Sequence, residues 1–185
     1  MTAAGVIRGC EALIDGVGRA VSWVSLGLVL VMAGNVLLRY GFSTGSVAMQ
    51  ELEWHLMSPI ALLGMSYAIQ HEGHVRVDVL YGRMSPGAKR VIDVISFLLV
   101  AIVAALLVKI SIPYVMLAHR LNEGSPNPGG LPWRFLLKSF IPLGFALLFI
   151  QSVAAMARVI ALPDTLPASA TAAASARISS QGTPA

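Results

Sequence analysis

The sequence predicts an all-α integral membrane protein with four transmembrane helices, both termini in the cytoplasm and a disordered C-terminal tail. Composition is the first ground for this. Of 185 residues, 56% are hydrophobic and 12% charged, about half the roughly 25% charge of soluble domains; mean hydropathy is +0.76. Such a chain would expose large apolar patches in water, and a bilayer is its natural solvent. The second ground is a set of four long apolar runs, each near the ~20 residues a spanning helix needs. The third is where Lys and Arg fall between those runs.

The first run, 20–38, is "AVSWVSLGLVLVMAGNVLL", without a charge and closed by Arg39. It is longer than a signal-peptide core and ends in "RYGF" rather than a small-residue cleavage site, so it is predicted as a retained helix. The second, 52–69, follows a polar "QELEWH" and is cleanly apolar only from Leu56, with Glu53 and His55 near one end. The third, 91–117, has Asp93 near its start and Lys109 well inside. At ~1.5 Å per residue it is roughly 40 Å long, so it must tilt or protrude from a ~30 Å core. The fourth, 135–162, carries Lys138 near its start and Arg158 near its end.

Pro59, Pro113 and Pro142 fall within these runs, where membrane helices tolerate proline, and they predict kinks. "YGRMSPG" and "NEGSPNPGGLPW" read as connections. Residues 1–162 thus form one four-helix domain. The remainder, 163–185, is "PDTLPASATAAASARISSQGTPA", small, polar and of low complexity, and is expected to be disordered. Trp23, Trp54, Trp133, Tyr40, Tyr67, Tyr81 and Tyr114 mostly sit near the ends of runs, as an interfacial aromatic belt does.

Arg8, Arg19, Arg76, Arg83, Lys89, Arg90, Arg158 and Arg177 fall on one side of this plan, against Arg39, Arg120, Arg134 and Lys138 on the other. Eight against four places both termini and the "HEGH" connection inside. The basic residues punctuate apolar runs rather than cluster on a polar domain, so the net charge of +4 does not indicate nucleic acid. A single cysteine, Cys10, excludes an intrachain disulfide and a Cys-rich metal cluster.

The stretch "QHEGHVRVDVLYGRMSP" invites a metal-site reading. Its His71 and His74 are three apart, whereas the zincin pattern sets its histidines four apart on one helical face. Glu72 points away from both, Gly73 weakens a helix there, and Asp78 is the one further local ligand. A solvated connector fits better. Haem between His55 and His119 stays open geometrically, but both lie at helix ends beside charges. The alternative to a transport role is therefore a haem-binding or anchor subunit of a membrane redox complex, with an enzyme using the "HEGH" loop behind it. Neither a G-x-S-x-G elbow nor a P-loop is present, and no catalytic, cofactor-binding or metal residue is assigned. Charges inside spans are costly in lipid and normally face protein. Glu51 and Glu53 are therefore candidates to pair with Lys138 or Lys109, across the bundle or in a partner, with snorkelling of either lysine as the plainer alternative. Gly27, Ala33 and Gly34 are candidates for close helix approach.

"LLRYGF" followed by "ELEWHLMSPIALLGMSYAIQHEGHVRVDVL" resembles the small membrane subunit of tripartite ATP-independent periplasmic (TRAP) transporters, the DctQ-like or Q subunit. The resemblance rests on Arg39, Glu51, Leu63–Gly64 and the His74–Asp78 signature loop, with "SPNPGGLPWRFLLKSFIPLGF" matching a common third connection and fourth span. It covers about residues 10–162. Ser58–Pro59 departs from the bulky residues more usual there. The resemblance implies a non-enzymatic scaffold in the bacterial inner membrane, part of a sodium-coupled symporter importing an organic acid. Its implied partners are a large permease subunit, which holds the sodium ions, and a periplasmic solute-binding protein, with membrane lipid around it. No cofactor is implied in this chain. Arg39, Glu51, Glu53, Lys109 and Lys138 are the candidates for subunit interface or docking.

Overall fold

A computed structural model describes residues 3–71 and 84–161. The His74–Asp78 loop, Arg76, Arg83 and the tail 163–185 lie outside the described residues. Within them the chain is four α-helices: α1 Ala3–Gly41, α2 Val47–Gln70, α3 Pro86–Arg120 and α4 Arg134–Ala161. Three of these, α1, α3 and α4, are long and apolar enough to cross a membrane. The fourth, α2, is not apolar enough by the same measure, because Gln50, Glu51, Glu53, His55 and Gln70 dilute its sequence.

Local chemistry sets the helix ends. Ser46 caps α2 by accepting the Met49 N–H, and Ser85 caps α3 by accepting the Ala88 N–H, with Pro86 in the first turn where its missing N–H costs nothing. After α3 the chain stops in a Schellman arrangement. Asn122, at φ 45°, donates its N–H to His119 and Glu123 donates to Ala118, which uses two of the carbonyls a helix end leaves over. Helices α2, α3 and α4 run on through Pro59, Pro113 and Pro142.

The helices run up and down, and polar contacts mark both ends. At one end Glu11 of α1 pairs with Arg158 of α4, the Gln70 amide donates to Glu11 O (3.2 Å) and Asp15 Oδ1 (3.0 Å), and Arg90 of α3 donates to Ile160 O (2.6 Å). At the other, Asn35 of α1 donates to Glu53 of α2 at 2.9 Å. Helix α2 lies between α1 and α4, α4 packs against all three others, and α3 rests chiefly on α4. The array is therefore open along α1 and α3.

Helix α1 begins well before the apolar run 20–38. Its N-terminal third packs as helix because Ile7, Ile14 and Val21 are buried at seven-residue spacing, a stripe that continues to Asn35. That spacing keeps one helix face on its neighbour. Helix α3 does the same with Asp93, Ala104, Ser111 and Ala118 buried toward α4. The close approaches fall at glycines other than Gly27 and Gly34. Gly27 has open space around it and Gly34 makes an ordinary contact with Met49. At Gly144, by contrast, a Cβ would meet Leu62 O at 2.7 Å and Leu62 Cβ at 2.8 Å, and at Gly18 it would collide with the Tyr67 ring. Absence of a side chain at Gly144 is thus what lets α4 touch the backbone of α2.

Gly144→Ala is expected to lower stability by about 1–3 kcal/mol, the usual cost of overpacking, read as a lower thermal midpoint in detergent. Gly27→Ala leaves that midpoint unchanged or slightly raised, because nothing obstructs the added methyl.

Candidate functional site

A dense polar assembly lies where α2 begins and the α3–α4 connection passes over it. Glu51 lies just past the first turn of α2, before the apolar part of that helix, and its residue is only 3% exposed. Its carboxylate accepts from the Ser125 hydroxyl, from Asn127 Nδ2 at 3.1 Å and from the Leu131 backbone N–H at 2.8 Å. Three donors from one connection close on one acid. The connection also closes on itself: Ser125 N donates to Leu131 O, Gly130 N to Asn127 O, and Arg134 N to Glu123 O. A Cβ at Gly130 would meet Ser125 and the Glu51 carboxylate, so glycine makes room for the acid.

Hydrogen bonds to a carboxylate favour its charged form. The Ser125 hydroxyl foremost, then the Leu131 N–H, hold the Glu51 carboxyl below its ordinary value of 4.5; Asn127 and Arg134 act the same way, and burial opposes them. The clasp leaves Trp133 in the left-handed region at φ 63° with its side chain largely exposed. Such a conformation costs a bulky residue about 1–3 kcal/mol and persists only where the surroundings over-determine it.

The other sequence-predicted residues separate. Glu53 turns to Asn35 of α1. Lys138 forms an ion pair with Glu123 at 2.5 Å and lies 4.1 Å from the centre of the Tyr114 ring. The pairing of Glu51 or Glu53 with Lys138 or Lys109 is thus not what the structure forms; each acid is taken by nearer donors. Arg39 is exposed in the last turn of α1, and Lys109 is exposed on α3. His55 Nδ1 lies 2.7 Å from Glu51 O in its own helix, and His119 packs edge-on against Phe135. Sequence reasoning missed Asn35, Glu123, Ser125 and Asn127 as partners. The "SPNPGG" composition marks a turn, and Asn127 N does donate to Ser125 Oγ at 3.1 Å. Nothing local says which acid the turn closes on.

Comparison with known proteins places this arrangement. Residues 28–162 match the family of tripartite ATP-independent periplasmic transporters, DctQ component. The ectoine TRAP transporter small permease protein TeaB of Halomonas elongata is 26% identical over 132 residues, 69% of this chain and 67% of that protein. A protein described as a TRAP transporter small permease in Haemophilus influenzae is 29% identical over 109 residues, 59% of this chain and 66% of that one. The matched part of the chain thus spans about two thirds of each relative. The assembly around Glu51 lies wholly within the family match, whereas the first turns of α1 precede it.

Because the Glu51 carboxyl is depressed in the folded chain, its hold on the connection is complete above the ordinary carboxylate range and is lost as pH falls through the lowered value. With Trp23 and Trp54 replaced by Phe, Trp133 fluorescence is expected to change with a midpoint below 4.5. Glu51→Gln is expected to remove that transition and to make the 121–133 connection more open to protease at neutral pH.

Proposed function

Because the chain belongs to the DctQ component family of tripartite ATP-independent periplasmic transporters, we propose that it is the static brace of its complex. It is a multi-pass inner-membrane component of a transporter and not an enzyme. In this reading all four helices cross the bilayer, α2 as the fourth crossing in spite of its polarity. Both ends of the chain face the cytoplasm, on the eight-to-four division of basic residues. The chain fixes a large permease subunit in the bilayer while that subunit moves an organic acid inward, driven by sodium. Its outer end, built by Glu51 and the 121–133 connection, helps seat a periplasmic solute-binding protein.

The observation that carries the brace reading is the way the polar groups of α2 are spent inside the array. Glu51, Glu53 and Gln70 each bond to a neighbouring element, while α1 and α3 turn rows of large apolar side chains outward. That gives a stiff interior and an adhesive exterior. The outer-end role rests on the exposed Trp133, Trp54 and Phe42, aromatic anchors of the kind enriched at protein interfaces, and on the clasp that presents Trp133.

Two experiments test this. In proteoliposomes holding the permease, the solute-binding protein and a sodium gradient, uptake is expected only when this chain is present; carboxylates and ectoine (the solute in the Halomonas relative's name) form the first panel. Solute affinity of the binding protein alone stays unchanged. Full uptake by the permease without this chain would refute the brace. For topology, in a Cys10→Ser background, a membrane-impermeant maleimide applied to spheroplasts is expected to label Asn127→Cys and to spare Gly87→Cys; the reverse pattern overturns the orientation.

A further inference from the structure

We propose that the outward face of α3 around Lys109 docks, within the membrane, against a helix of the large permease subunit that presents a carboxylate. The inference rests on the brace reading and adds the face that makes contact and the chemistry it asks of its partner.

Helix α3 has two faces of different character. Asp93, Ala104, Ser111 and Ala118 are buried toward α4. Lys109 precedes Ser111 by two residues, a turn of about 200°, so it points away from α4. Around it Ile102, Leu106, Ile110, Ile112 and Met116 are all about half exposed or more. The face is apolar with one cation set into it. No described residue gives Lys109 a hydrogen bond or an ion pair.

Depth decides against treating Lys109 as a surface group. The polar layer at this end of the array is marked by Lys138, paired with Glu123 and packed on Tyr114. Lys109 lies five residues deeper than Tyr114 on the same helix, about 7.5 Å along its axis. Lys138 pairs with an acid; Lys109 pairs with none among the described residues. A charge at such depth normally faces protein and pairs. The backbone adds a second polar demand in the same turn. Pro113 has no N–H to donate to the Lys109 carbonyl four residues before it. One strong donor and one under-used acceptor therefore sit together in an otherwise apolar face.

Helix α1 supplies the contrast. Its outward face shows Trp23, Val29, Leu30 and Leu37, and its apolar run 20–38 contains no charge. That face suits lipid. The α3 face does not, and a helix offering a carboxylate at the depth of Lys109 satisfies it by charge complementarity.

The test uses the intact complex with a photo-reactive residue in place of Ile110 or, as control, Leu30. The Ile110 probe is expected to capture the permease and the Leu30 probe chiefly lipid. Lys109→Glu is expected to reduce co-purification of the permease at least tenfold, and Lys109→Arg to retain it. An acid-to-lysine change at the captured permease helix is expected to restore assembly of the Lys109→Glu chain. Lys109→Met, checked for an unchanged gel-filtration profile of the subunit alone, separates loss of docking from loss of folding, and is expected to weaken co-purification with that profile intact. Capture of phospholipid alone by Ile110, or normal co-purification of Lys109→Glu, overturns the proposal while leaving the brace reading standing. Failure of the unaltered chain to co-purify with any permease would instead remove the brace reading itself.

Discussion

A bilayer supplies no partner for a polar side chain, and α2 carries several. Glu51, Glu53, His55 and Gln70 leave it the one of the four helices without a stretch apolar enough to span a membrane, and much of the architecture follows from giving Glu51, Glu53 and Gln70 something to bond. Glu53 requires Asn35 of α1 beside it, and Gln70 requires Glu11 and Asp15 of the same helix. Glu51 draws the α3–α4 connection over its helix end. Helix α2 is thereby held between α1 and α4, and α3, which shares little of this polarity, is left at the margin against α4. Hydropathy ranks α2 last as a membrane span for the same reason that the array is built around it.

Two kinds of contact tighten this arrangement. Polar pairs sit near the helix ends, where water or headgroups moderate their cost. Small residues serve the middle: Gly144 brings α4 onto the backbone of α2, and Ala101, Ala104 and Ser111 let α3 lie close to α4. Packing of this sort matters in lipid because apolar side chains gain little from leaving an apolar solvent, so close approach must supply the attraction. The large side chains are accordingly on the outside, where lipid or another membrane protein meets them.

The apolar runs of α1, α3 and α4 were legible because hydropathy is a local property, and the "SPNPGG" turn was legible from its proline and glycine. The polar partners were not, since Glu51 and Leu131 are brought together only by the path of the chain. The N-terminal third of α1 was missed for a related reason. Its buried stripe of Ile7 and Ile14 is thin and lies among Arg8, Glu11 and Asp15, so composition reads polar while one face is wholly occupied. The short motifs around Arg39, Glu51 and Leu63–Gly64 pointed to the family because their order along the chain is itself sequence information.

By itself, then, the sequence determined the class of solvent this protein inhabits, the four helices found among the described residues and the family to which its motifs belong, all of which depend on residue type and order. Only the tertiary structure decided which acid meets which donor, which glycines lie at helix crossings, and which lysine is left facing outward. Lys109 and Lys138 are alike on paper, each a lysine set in an apolar run. They part because Glu123 comes within reach of one, while α3 lies on α4 with the other facing outward and paired with no acid among the described residues. Helix rotation and loop path are set by packing between distant segments, and no local pattern encodes them.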